Sequence, residues 1–147
     1  MGQEFLSNRF IHIPVASGKH ISLKNASGVT FTCFEDGGAQ AIGIKESIAG
    51  ASEATLSVVD HLYASDGVGS VFTRETTDAN GSLGTGDGAI VKKDTTPFDA
   101  ATFYIDASQL SAGFDCVEVT VDAGTCDAIV HMKVQRALQN QALVVVA

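Results

Sequence analysis

Apolar residues recur at every second position along most of this chain, and that period limits the folds open to it. The clearest run is FDCVEVTVDAGTCDAIVHMKV, residues 114 to 134, where Val117, Val119 and Val121 alternate with other residues and Cys126, Ala128 and Val130 do the same. Successive side chains of a strand point to opposite faces, so a period of two gives each strand one apolar face, whereas a helix needs a period near 3.6. Between the two runs, Asp122-Ala123-Gly124-Thr125 reads as a four-residue turn, which predicts a hairpin. If Val121 faces Cys126, facing positions sum to 247, so Val117 meets Val130, Val119 meets Ala128 and Asp115 meets Met132, with Cys116 opposite His131 on the other face. Both apolar sets then share one face, the condition that fixes register.

The pattern repeats upstream. Ile11, Ile13 and Val15 are followed, after Ser17-Gly18, by Ile21 and Leu23, which predicts a first hairpin. Val29, Phe31 and Cys33 lead through Glu35-Asp36-Gly37-Gly38 to Ile42 and Ile44. Residues 52 to 65 fit a strand through Leu56, Val58 and Leu62, or a helix face through Leu56, Val59 and Tyr63. The β-branched pair Val58-Val59 favours a strand, returning through Ser65–Gly69 into Ser70–Arg74 as a hairpin. Short strands separated by turns predict an all-β fold, an antiparallel β-sandwich or jelly-roll-like barrel with short terminal arms. A chain of 147 residues suits one domain. Its expected parts are an N-terminal arm and first strand over 1–13, a core over 14–136, and a C-terminal arm or closing strand over 137–147.

Charge narrows the partners. The formal net charge is −8 and the nine basic residues are scattered, which argues against gripping a nucleic-acid backbone. No run approaches the 18 or more apolar residues of a membrane-spanning helix, so no membrane partner is expected. MGQEFLSNRF lacks a basic stretch leading into an apolar one, and Leu6 stands where a myristoylation signal wants Ser or Thr; synthesis in the cytoplasm is the expectation. Cys33, Cys116 and Cys126 cannot all pair within one chain and show no zinc-type spacing, so they are expected as buried thiols.

The stretch that most suggests a chemical site is TTDANGSLGTGDGA, residues 76 to 89. As a phosphate loop it fails, because Asp87 and Gly88 stand where a lysine and a hydroxyl belong. Gly84, Gly86 and Ala89 fit a dinucleotide-type glycine pattern, yet AIVKKDTTP follows in place of a helix. As a calcium loop it has Asp78, Asn80 and Ser82 in place, but Leu83 replaces the required glycine and Ala89 the bidentate glutamate. Asn80-Gly81 and Asp87-Gly88 read as turns. Cys116 and His131, if paired, would resemble a nucleophile and base without a third member. His12, His20 and His61 are too scattered to suggest a metal, so neither cofactor nor metal is expected. The acids, Glu35, Asp36, Asp60, Asp106 and Glu118 among them, are not gathered by spacing, and no enzyme is expected.

The order of three segments, VTFTCFEDGGAQAIGIKES, ATLSVVDHLYASDGVGSVFTRET and FYIDASQLSAGFDCVEVTVDAGTCDAIVHMKVQRA, resembles that of small virion proteins from tailed bacteriophages. The residues carrying the likeness are Tyr104, Ile105, Asp106, Leu110, Gly113, Phe114, Asp115, Val117 and Val119, within a span of about residues 29 to 136. The acidic Gly-rich loop and the apolar C-terminal run depart from the pattern. The resemblance implies a capsid cement or decoration protein on the virion surface, with the major capsid protein as partner and a homotrimer as assembly. A tail or head-completion protein is the nearest variant. The apolar chain ends supply candidate interface residues: Phe5, Phe10 and Ile11, then Leu143, Val144, Val145 and Val146. A carbohydrate-binding β-sandwich is the alternative from another class, with Tyr63 and Tyr104 as its few stacking platforms and no tryptophan.

Overall fold

The computed structural model describes residues 10–15, 18–34, 42–59, 61–65, 72–76, 100–121, 124–133 and 145–146. Among them the chain forms strands β1 (Phe10–Val15), β2 (His20–Ser22), β3 (Ala26–Phe34), β4 (Ile42–Ile48), β5 (Ala51–Thr55), β6 (His61–Ser65), β7 (Phe72–Thr76), β8 (Ala100–Asp106), β9 (Cys116–Val121), β10 (Thr125–Met132) and β11 (Val145–Val146). A single 3-10 turn, Ala107–Gln109, lies between β8 and β9. The strands build two antiparallel sheets, ordered β1-β10-β3-β8-β6-β7 and β11-β2-β9-β4-β5. The fold is therefore an all-β sandwich of two open sheets rather than a closed barrel.

Seven of the ten connections between the described strands carry the chain from one sheet to the other. Only β4–β5 and β6–β7 are hairpins between sequence neighbours. In the first, Ala49 and Gly50 both have positive φ, 50° and 81°, the geometry of a two-residue turn whose twist matches its strands. The second is the hairpin predicted from Ser65 to Arg74, with Ser65 opposite Phe72.

The two other predicted hairpins are corrected. β1 pairs with β10 in the six-stranded sheet, while β2 pairs with β9 and β11 in the five-stranded one. Likewise β9 and β10 lie in different sheets, so the sum-247 register does not exist and Cys116 and His131 sit on opposite outer faces of the sandwich. The physical reason is that alternation fixes which side chains face inward without fixing the hydrogen-bonded neighbour. Val117 and Val119 from one sheet and Ala128 and Val130 from the other are all fully buried, as a hairpin would also have left them. They meet across the interior, where paired sheets lie about 10 Å apart.

Residues 52 to 65 form neither one strand nor a helix. β5 and β6 belong to different sheets, and the link between them buries Leu56 and Val59 in the core. The interior is otherwise filled by Ile21, Ile42, Ile44, Val117 and Val119 against Val29, Phe31, Phe103, Ile105 and Val130. Phe31 and Phe103, directly opposite on β3 and β8, stack with ring centres 5.6 Å apart.

Asp106 and Asp115 shape the crossing from β8 to β9. Asp106 caps the 3-10 turn: its Oδ1 accepts from Ser108 N at 2.8 Å, and its own N–H donates to Gln109 Oε1 at 2.9 Å. Asp115 Oδ1 accepts from Ala49 N at 2.7 Å and its Oδ2 meets Lys24 Nζ at 3.0 Å, so one carboxylate ties three connections. The Ala49 N–H and then the Lys24 contact hold this carboxyl below its ordinary pKa.

Candidate functional site

Strand pairing sets His20 on β2 directly opposite Glu118 on β9, and Glu118 opposite Lys45 on β4. Directly opposite residues of an antiparallel pair share a face, here the outer face of the five-stranded sheet. Glu53 on β5 completes the row. Its Oε1 lies 3.3 Å from His20 Nε2, and its Oε2 meets Lys45 Nζ at 2.9 Å. Glu118 Oε2 approaches the same histidine nitrogen at 3.8 Å. The three donor atoms of His20, Glu53 and Glu118 all lie within 4.8 Å of one another.

Two of these groups are buried although they sit on an outer face. The side chains of His20 and Glu118 are each 6% exposed, whereas that of Glu53 is 39% exposed. Gly18, with φ at +81°, packs its backbone against Glu118, and its N–H donates to Val119 O at 3.4 Å. His20 is oriented from behind by Ser47 Oγ, 2.9 Å from its Nδ1. Glu118 Oε2 has no hydrogen-bond partner. Burial, and next the charge of Glu53, raise the Glu118 pKa, while the Lys45 hydrogen bond lowers that of Glu53. The two carboxyls are driven apart, one towards holding a proton and one towards ionisation.

A second cluster lies on the outer face of the six-stranded sheet. His131 Nε2 is 2.8 Å from Thr30 Oγ1, and the ring is flanked edge-on by Phe10 and Tyr104 with centres 5.1 and 5.6 Å away. Burial lowers the His131 pKa. Tyr104 lies over Gly28 and donates to Ser27 O at 3.3 Å. Tyr63, diagonal to Tyr104 through the Tyr63–Thr102 pair, is exposed on the same face.

The predicted interface residues are only partly placed. Phe10 sits in this aromatic cluster, and Ile11 packs against the core opposite Val130. Val145 and Val146 form β11 and pair with Ile21 and His20. Phe5, Leu143 and Val144 lie outside the described residues, as does the loop 76–89 apart from Thr76, the last residue of β7. All three cysteines are buried free thiols, with Cys33 and Cys126 directly opposite and their sulfurs 3.4 Å apart.

The His20, Glu53 and Glu118 group was not legible in the sequence. The three residues are far apart along the chain, and only the pairing of β2 with β9 and of β4 with β5 makes them neighbours. Glu118 alone carried a hint, an acid between two valines in an otherwise apolar or β-branched strand. Comparison with known proteins gives no matching family, no matching curated sequence and no matching solved structure.

Proposed function

We propose that this chain is a structural protein of a phage virion, a cement protein that binds the outer capsid shell and braces neighbouring major capsid subunits. The observation that carries the reading is where the chain ends join the sandwich. β1 is an edge strand of one sheet and β11 an edge strand of the other. The short link from β1 to β2, next to β11, sets both edges on the same side of the sandwich. An edge strand presents unpaired N–H and C=O groups to which a second chain can add. The segment likeness through Tyr104–Val119 supports the same reading.

Bracing works by linkage: a protein that binds the assembled shell better than its parts shifts the balance towards the shell. The test is the copy number of this chain relative to the major capsid protein in purified particles of its source, by quantitative mass spectrometry. Near-stoichiometric copies are expected. About a dozen copies would move the protein to a vertex or the tail, and absence would overturn the virion reading. The exposed Tyr63 and Tyr104 on one face favour glycan binding as the second reading, which a glycan array without hits would remove.

A further inference from the structure

We infer that His20, Glu53 and Glu118 form a binding site for a divalent metal ion of the zinc class, bridging β2, β9 and β5 across the outer face of the five-stranded sheet. The inference is independent of the virion reading, since it rests on side-chain geometry alone.

Three features carry it. First, the spacing fits: tetrahedral zinc with bonds of about 2.0–2.2 Å to nitrogen and oxygen sets its donor atoms about 3.4 Å apart. His20 Nε2 stands 3.3 Å from Glu53 Oε1 and 3.8 Å from Glu118 Oε2. Secondly, Glu118 Oε2 is buried and without a hydrogen-bond partner, and it is aimed at this point. A buried carboxylate oxygen left unpaired is costly, and a cation between it and the histidine removes that cost. Thirdly, the ligands are oriented from outside. In the tautomer that donates Nδ1–H to Ser47 Oγ, the histidine turns its Nε2 lone pair towards the two carboxylates. Lys45 binds Oε2 of Glu53 and leaves Oε1 for the site. Such outer contacts are what fix the aim of metal-bound histidine and carboxylate.

The donor set selects the metal class. One imidazole and two carboxylates suit Zn²⁺ and its spectroscopic substitute Co²⁺, whereas Ca²⁺ and Mg²⁺ ask for six or more oxygens or several retained waters. Three protein ligands leave a fourth position for water or for a donor from another chain. Because β2 has only three residues and carries β11 on its far side, with Val146 opposite His20, a metal here would also clamp the strand that seats β11.

The experiment is calorimetric titration of the chelator-treated full chain with ZnCl₂, followed by the visible absorption of its Co²⁺ form. The expected result is saturable one-to-one uptake with Co²⁺ bands of a four- or five-coordinate site. Losing an outer contact alone costs about 10–100-fold in affinity, so Glu118→Gln and His20→Ala are expected to lose more than about 100-fold. Should those buried variants fail to fold, Glu53→Gln, on the exposed side, decides the matter with at least a tenfold loss. No saturable uptake by the wild type, uptake of Ca²⁺ in preference to Zn²⁺, or unchanged uptake by Glu53→Gln would each overturn the site.

Discussion

Replacing Gly28 by alanine isolates one close approach between β3 and β8. A Cβ built at Gly28 would lie 2.5 Å from the carbonyl oxygen of Ile105, and it would also run into the Tyr104 phenol. The phenol can swing away, giving up hydrogen bonds to Ser27 O at 3.3 Å and Asp106 Oδ2 at 3.4 Å, long and exposed contacts of little net value. The carbonyl cannot, because Ile105 is held opposite Val29 within the β3–β8 ladder. Overpacking of this kind costs about 1–3 kcal/mol. Against it stands the ordinary gain of about 0.5–1 kcal/mol when alanine replaces glycine in regular structure. The net expectation is a loss of about 1 kcal/mol, or a fall of about 2–4 °C in Tm for a domain of this size. Urea unfolding followed by far-UV circular dichroism measures it. Adding Tyr104→Ala should recover only a minor part, since the carbonyl remains. A neutral or stabilising Gly28→Ala would refute the close approach, and full rescue by Tyr104→Ala would assign the obstacle to the phenol.

Three further outcomes are expected. Phe31→Ala, at a fully buried ring stacked on Phe103, should cost about 3–5 kcal/mol, read as a shift of the urea midpoint at constant slope. The Cys33 thiol pKa is raised by its contact with Cys126 and then by burial, so the native protein should be inert to a thiol reagent at neutral pH and release all three thiols only in denaturant; rapid native labelling would contradict the packing. In chelator, Glu118→Gln should change the pH dependence of stability. A carboxyl whose folded pKa is raised stabilises fully below its unfolded value, about 4.3, and that contribution is lost as pH rises through the folded value. The wild type should therefore weaken relative to the glutamine variant as pH rises above about 4.3, and parallel curves would refute the raised value.

Alternation was enough to read the class of fold and the inward face of nearly every strand. Val29, Phe31 and Cys33 on β3, and Val117, Val119 and Val121 on β9, point inward as their period requires. What alternation could not carry is the identity of the neighbour. A turn-like segment such as Asp122–Thr125 serves equally to fold a strand back beside itself or to throw it across the core, and both bury the same valines. Only where a turn lay within one sheet, at β6–β7, did the hairpin reading survive. The candidate site suffered from the same gap. His20 and Glu118 read as residues on polar faces of separate strands, and their adjacency is a property of sheet order. Thr30, Tyr104 and His131 came together in the same way, through β10 and β8 flanking β3.

Sheet order also sets a timetable for synthesis. β1 and β3 both pair with β10, and β2 and β4 both pair with β9. Four strands drawn from the first 48 residues thus wait for partners located at residues 116 to 132. Until β8 (Ala100–Asp106) emerges from the ribosome, the β4–β5 and β6–β7 hairpins are the only pairings open to the described strands, and isolated hairpins are marginal in water. Closing such distant pairs carries a large entropic cost before any contact rewards it, which makes folding slow and late. The nascent chain therefore exposes β-prone apolar segments for most of its translation, the interval in which a cell's chaperones would matter most to its yield.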